Sequence, residues 1–261
     1  MSKLPKTIVY TDELNDEFSR AKTTPRKIDG KYKYLHDNVF WDMTYFFWYR
    51  IFATPLAYIY DKVKLHHKFE NKQILKKFKN VGYFLYGNHT QETADAFIPN
   101  MAVFPKRAFV VVHPNNVSMP VMGKLTPFMG ALPIPGDMAS SRNFMNALEK
   151  KILENRCVVI YPEAHIWPYY TGIRPFPATS FRYPVRFDAP AFCMTTTYHK
   201  RKRGDKPRAV TYIDGPFYRK PELSPKEQEQ DLRDRIYDKM CERAKNNTYE
   251  YIKYTRGENN G

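Results

Sequence analysis

Two polar clusters in this chain follow directly on short apolar runs, and both carry residue types able to do chemistry. The stretch "YGNHTQETADAFIP", residues 86–99, sets Asn88 and His89 after such a run, with Asp95 six positions beyond the histidine. The stretch "YPEAH", residues 161–165, sets Glu163 and His165 at the end of another. A histidine with a nearby carboxylate can act as a general base, because the carboxylate holds one imidazole tautomer and stabilises the imidazolium formed on proton uptake. No serine or cysteine stands where it would be an obvious nucleophile, so direct attack by a substrate hydroxyl activated by His89 is the simplest chemistry. The same strings have plainer readings. Asn88 caps a helix beside a solvated His89, and Glu163 closes the turn after a strand.

The elements around these clusters alternate between strand-like and helical patterns, which predicts an α/β layer architecture. "VGYFLYG" (81–87), "RAFVVVH" (107–113), "RCVVIYP" (156–162) and "APAFCMTTTY" (189–198) read as strands. In open α/β sheets, sites collect outside the carboxyl ends of strands, and both clusters sit at such ends. "SSRNFMNALEKKILENR" spaces Phe144, Leu148 and Ile152 along one helical face, with Ser140 or Ser141 as N-cap. Ser224, Pro225 and Glu227 open a C-terminal helix with a capping-box pattern. "HKRKRGDKPR" (199–208) reads as the charged tip of a long hairpin.

With 261 residues and 43% hydrophobic composition, the chain can bury a sizeable core. Its 42 Lys and Arg against 27 Asp and Glu give a net charge of +15, which favours partners carrying phosphate: nucleic acid, anionic lipid or a phosphorylated substrate. Cys157, Cys193 and Cys241 have no short metal-type spacing and fit a reducing compartment. The opening residues lack the apolar run of a secretory signal, so export is not expected. Between residues 40 and 60, ten of 21 residues are Phe, Trp or Tyr, interrupted by Asp42, Arg50 and Pro55. Seven lysines follow within residues 61–80. Aromatic insertion beside a lysine cluster suits a helix lying at a membrane interface; a buried helix followed by a solvated one is the other reading.

Four blocks, in order, resemble the lysophosphatidic acid acyltransferase (glycerolphosphate acyltransferase, PlsC-like) family, over about Tyr83 to Tyr218. They are "NHTQETAD", "MPVMGKLTPFMGALPIPGD", "VVIYPEAH" and "DAPAFCMTTTY", followed by "VTYIDGPFY". The resemblance implies a glycerolphosphate-acyltransferase-like sheet flanked by helices, with residues 1–80 as an arm of membrane-associating helices and 81–261 as the acyltransferase domain. It implies O-acyl transfer from acyl-CoA or acyl-carrier protein to a hydroxylated lipid acceptor, at the cytoplasmic membrane face, without cofactor or metal. His89 would deprotonate the acceptor hydroxyl, Asp95 would orient it, backbone N–H groups at the adjacent helix start would stabilise the oxyanion, and Asn88 and Glu163 would serve substrate binding.

The sequence departs from the family pattern at defined places. Five residues, not four, separate His89 from Asp95; a loop can absorb the extra one, and otherwise Glu92 takes over as partner. Gly136 and Asp137 stand near the family's arginine and His113 near its lysine, so Lys124, Arg142 and Arg174 become the candidate cations for an acceptor phosphate. Ala164 and His165 replace the Gly and Thr that commonly follow the glutamate. An acceptor lacking the phosphate is therefore an open alternative. A nucleic-acid binder would also explain the charge, but the aromatics form one apolar block and do not interleave with the basic residues. A metal hydrolase would need His89, Asp95, His113, Glu163, His165 and His199 to converge; only Glu163 and His165 are close in sequence.

Overall fold

The computed structural model describes residues 6–19, 24–36, 38–120 and 122–257. Its strands are β1 (Thr7–Tyr10), β2 (Lys68–Glu70), β3 (Tyr83–Gly87), β4 (Ala108–Val112), β5 (Ala131–Pro133), β6 (Cys157–Ile160), β7 (Ala191–His199), β8 (Arg208–Phe217) and β9 (Lys253–Arg256). Seven of them form one sheet in the order β2-β8-β7-β3-β6-β4-β5. From β7 to β5 all neighbours are parallel; β8 returns antiparallel to β7, and β2 runs beside β8. The expected hairpin is this β7–β8 pair, with residues 200–207 at its tip. The other two strands, β1 and β9, pair in parallel as a separate ribbon.

Both faces of the central sheet are covered, which is why its strands read as continuous apolar runs. The two-residue period of a strand sends Phe84 and Tyr86 to one face with Val158 and Ile160, and Tyr83 and Leu85 to the other with Cys157 and Val159. On the first face lie α1 (Met138–Leu153), through Phe144 and Leu148, and α2 (Pro225–Ala244), through Leu232, Ile236 and Met240. The second face is covered by the short helix Ile98–Val103, through Ile98, Met101 and Ala102.

The helix ends show where sequence patterns sufficed. The α2 cap forms as expected, the Glu227 carboxylate accepting from the Ser224 backbone N–H at 3.0 Å and its hydroxyl at 2.6 Å. The α1 cap is instead Asp137, whose carboxylate accepts the Ser140 N–H at 2.7 Å while Ser140 Oγ accepts the Asp137 N–H at 3.0 Å. Ser140 is thus the third residue of the helix, and Ser141 the fourth.

Residues 39–65 form one helical arm, α-helical over Val39–Tyr45 and Thr54–Tyr60, with wider π turns over Phe46–Ala53 and Asp61–Leu65. Tyr49, Ala57, Asp61 and Leu65 are buried against the body, while Phe40, Phe46, Phe47, Trp48, Phe52, Leu56 and Ile59 are exposed. No helix among the described residues is long and apolar enough to cross a membrane. Residues on the N-terminal side of position 80 join the central sheet and its core. β2 extends the central sheet, and Ile28 and Tyr34 lie in the core with Phe144. Tyr34 packs edge-on against Phe144 at 5.6 Å, and its hydroxyl donates to the Pro133 carbonyl at 3.0 Å.

Candidate active site

Gly87 ends β3 in a place with no room for a side chain: a Cβ there would lie 2.6 Å from Met194 Cε and 2.8 Å from Tyr161 Cε1. That close approach lets the chain leave the sheet between β7 and the end of β6. Asn88 follows, buried, and its amide pairs with the Thr196 backbone on β7, accepting its N–H at 2.8 Å and donating to its carbonyl at 3.0 Å. Both polar ends of Asn88 are engaged by the sheet, so it anchors the next residue.

His89 meets Asp95. The imidazole Nδ1 lies 2.8 Å from Asp95 Oδ2, which also accepts the N–H groups of Thr90 at 3.0 Å and Gln91 at 2.9 Å. Residues 90–93 form a loop and Ala94–Ala96 a single 3-10 turn, so irregular backbone absorbs the extra residue between the pair. Glu92, half-buried on the same loop, is not the residue at Nδ1. The Thr90 and Gln91 amides, the first backbone donors after His89, are occupied by Asp95 and are not open to an oxyanion. The imidazole ring stacks on Tyr161 at 4.4 Å, and the Tyr161 hydroxyl donates to the Asp95 carbonyl at 2.6 Å. The His89 side chain retains 18% exposure, with Nδ1 held by Asp95.

Glu163 reaches the same place from the end of β6, but from beneath. It is buried, its two oxygens accepting the backbone N–H of His89 at 2.9 Å and of Arg174 at 3.0 Å. Burial outweighs these donors and the Arg174 charge, pushing its carboxyl above the ordinary range. Glu163, expected at the acceptor, ties the backbone of the histidine to that of Arg174. Arg174, a candidate cation for an acceptor phosphate, is 1% exposed. Its guanidinium donates to the carbonyls of Glu163, His165 and Glu13, lies 3.7 Å from Glu163 Oε2, and stacks on Trp167. Ala164, where the family block has glycine, takes a left-handed φ of 63°.

The other candidate cations, and His113 at the place of the family's lysine, lie on other segments. Arg142 is exposed in the second turn of α1, and His113 is exposed after β4, its Nδ1 accepting the Asn115 N–H at 3.3 Å. Lys124 belongs to the short helix Met122–Leu125, and its side chain lies outside the described ones. Among the described residues, no three His, Cys, Asp or Glu side chains converge as metal ligands.

Several supporting residues gave no sequence signal. The Tyr198 hydroxyl accepts from Gln91 Nε2 at 2.9 Å and meets Thr90 Oγ1 at 2.6 Å, locking the loop after His89. The backbone N–H groups of Trp167 and Tyr169 donate to the carbonyls of His89 and Thr90. Residues 12–18 cross over this segment: Trp167 Nε1 donates to the Asp16 carbonyl, and Glu17 accepts from Ile166 and contacts His165 at 3.2 Å. Of these, Thr90, Gln91, His165 and Tyr198 lie inside stretches already singled out, whereas Trp167, Tyr169 and residues 12–18 do not.

The chain thus combines a parallel-centred sheet with a His–Asp pair at the end of β3 and a buried glutamate at the end of β6. Among solved structures, the chain is similar to the 1-acyl-sn-glycerophosphate (LPA) acyltransferase PlsC from Thermotoga maritima, with a TM-score of 0.54 and 13% identity over 80% of this chain and 89% of that one. At that identity the likeness establishes the fold. No family model and no curated protein sequence matches the chain.

Proposed function

We propose that this protein is an O-acyltransferase that moves an acyl group from a thioester donor, acyl-CoA or acyl-carrier protein, to a hydroxyl acceptor of lipid type. The observation that carries the reading is the His89–Asp95 pair, 2.8 Å apart and partly open to solvent, in a fold shared with a lysophosphatidic acid acyltransferase. His89 Nε2 takes the proton of the acceptor hydroxyl as that oxygen attacks the thioester carbonyl carbon. The C–S bond then breaks, and the imidazolium returns its proton to the departing thiolate, leaving an ester and a free thiol. Asp95 supplies the negative charge that the imidazolium needs. Glu163 and Asn88 act as positioning residues for the His89 backbone.

Arg174 is tied down by backbone carbonyls, which favours an acceptor not held through a phosphate on that arginine. The exposed apolar side of residues 39–65 favours seating at a membrane interface, with Phe40 79% and Trp48 45% exposed and the lysines of residues 62–79 beside it. We place that seating at the cytoplasmic face. The test is mass spectrometry of lipid extracts after incubation with acyl-CoA and acyl-carrier-protein donors and a panel of acceptors. A product whose formation falls 10²- to 10⁴-fold in His89→Ala, about the size of a lost general base, supports the reading. Activity within a few-fold of the parent refutes it.

A further inference from the structure

A cavity of about 160 Å³ lies far from the histidine, at the edge of the sheet where β4 and β5 begin. Four cations line it, Lys33, Arg107, Lys151 and Arg156, against the single carboxylate of Glu154. Arg107 and Arg156 immediately precede β4 and β6, whereas His89 follows β3, and these three strands are parallel. The cavity is therefore on the opposite rim of the sheet from the His–Asp pair. Strands of four to five residues separate the two by about 15 Å or more.

The cations are held by different means. The Arg107 guanidinium is clasped between Tyr45 of the helical arm, at 3.4 Å, and Phe109, at 4.5 Å, and donates to the Phe128 carbonyl at 2.9 Å. Lys151 bonds Glu154 at 2.9 Å and lies over Phe109, while Arg156 stands 4.0 Å from the same Glu154 oxygen. Lys33 is exposed at the rim with no partner among the described residues. One carboxylate oxygen thus serves two cations, which leaves a surplus of positive charge around a hollow floored by aromatic rings. Arginines and lysines converging from separate segments are how proteins hold phosphate groups through charge-assisted bonds.

We propose that this cavity binds a phosphate group, carried either by an anionic lipid headgroup or by a soluble phosphate ester. The site stands independently of the acyltransferase reading, since none of its residues touches the His–Asp pair. Its position does bear on the arm, because Tyr45 both belongs to the arm and forms one wall of the Arg107 clasp. A lipid headgroup in the cavity would therefore lie next to the arm through Tyr45 and Arg107.

The test uses the full chain and inorganic phosphate as the first probe, followed by phosphorus NMR at constant ionic strength, because screening alone alters a basic surface. Saturable binding is expected. It should weaken about tenfold or more in Lys33→Gln/Arg156→Gln, the loss of one or two charge-assisted bonds, and persist in Arg142→Ala and His89→Ala. Lys33 and Arg156 reach the surface, so the double variant should keep the parent's thermal midpoint. Displacement of phosphate by vesicles containing phosphatidic acid, but not by phosphatidylcholine vesicles, assigns the group to a lipid. Displacement by glycerol 3-phosphate alone assigns it to a soluble ester. Absence of saturable phosphate binding, or equal binding by parent and double variant, overturns the proposal.

Discussion

Replacing Asp95 by Asn tests the proposed chemistry at its most constrained point. Asp95 is buried, and one oxygen receives three donors: the His89 ring, the Thr90 N–H and the Gln91 N–H. An asparagine oxygen can occupy the same position, so the loop keeps its shape with neutral bonds in place of charge-assisted ones, which are roughly twice as strong. Three weakened bonds cost about 1 kcal/mol each, and relief from burying a carboxylate offsets much of that, leaving a net loss of about 1–2 kcal/mol. The reaction loses more. The imidazolium formed when His89 takes a proton no longer faces a negative charge, and a unit pair at about 4 Å and effective dielectric 20 is worth about 4 kcal/mol. That converts to roughly 10³-fold in rate. Thiol release from an acyl-CoA donor, followed with a chromogenic thiol reagent beside a thermal melt, separates the two effects. An Asp95→Asn protein that turns over within about fivefold of its parent would refute the pairing as a catalytic device.

Further outcomes follow from the same geometry. Ala164→Gly should raise stability by about 1 kcal/mol, read from the denaturant midpoint, because a left-handed backbone costs a side-chain-bearing residue that much; an unchanged midpoint removes the strain argument. Arg174→Ala should destabilise by about 3–5 kcal/mol in urea by leaving Glu163 buried and unpaired, and a stable variant impaired only with phosphorylated acceptors would restore Arg174 as a substrate contact. The raised carboxyl of Glu163 contributes stability that is present below the ordinary carboxylate range and lost as pH rises through its folded value. The stability advantage of the parent over Glu163→Gln should therefore shrink as pH increases, and an advantage that grows contradicts the assigned direction. Phe47→Ser/Trp48→Ser should weaken vesicle sedimentation roughly 30-fold, about 2 kcal/mol for two half-exposed rings, without changing the melt; a collapsed fold would show that those rings are core.

What the sequence disclosed followed local rules. The strands buried on both faces stand out as apolar runs, and the Ser224–Glu227 pattern marks a helix start because its bonds span three residues. The α1 cap was less readable, since "DMASS" offers three capping side chains and only packing decides that Asp137 serves. Neither Arg174 nor Glu163 could be recognised as buried, because a charged residue's surroundings come from segments distant in the chain, here Glu13 and His89. The His–Asp pairing was readable as a possibility, but its geometry depended on how the loop accommodated residues 90–94. The strap of residues 12–18 has no periodic pattern, and its partners, Trp167 and Ile166, lie about 150 residues away.

The small ribbon of β1 and β9 gives the molecule a particular response to pulling. The strands are parallel, with Thr7 opposite Lys253 and Tyr10 opposite Arg256. Tension entering before Thr7 and leaving after Arg256 acts on opposite ends of the ladder, so its hydrogen bonds are loaded together in shear. The β7–β8 hairpin, pulled at Ala191 and Phe217, which face each other, would instead unzip one pair at a time. A chain tethered on both flanks is thus gripped by a mechanical clamp, and the strap that follows β1 over Trp167 is shielded from the load until that clamp slips.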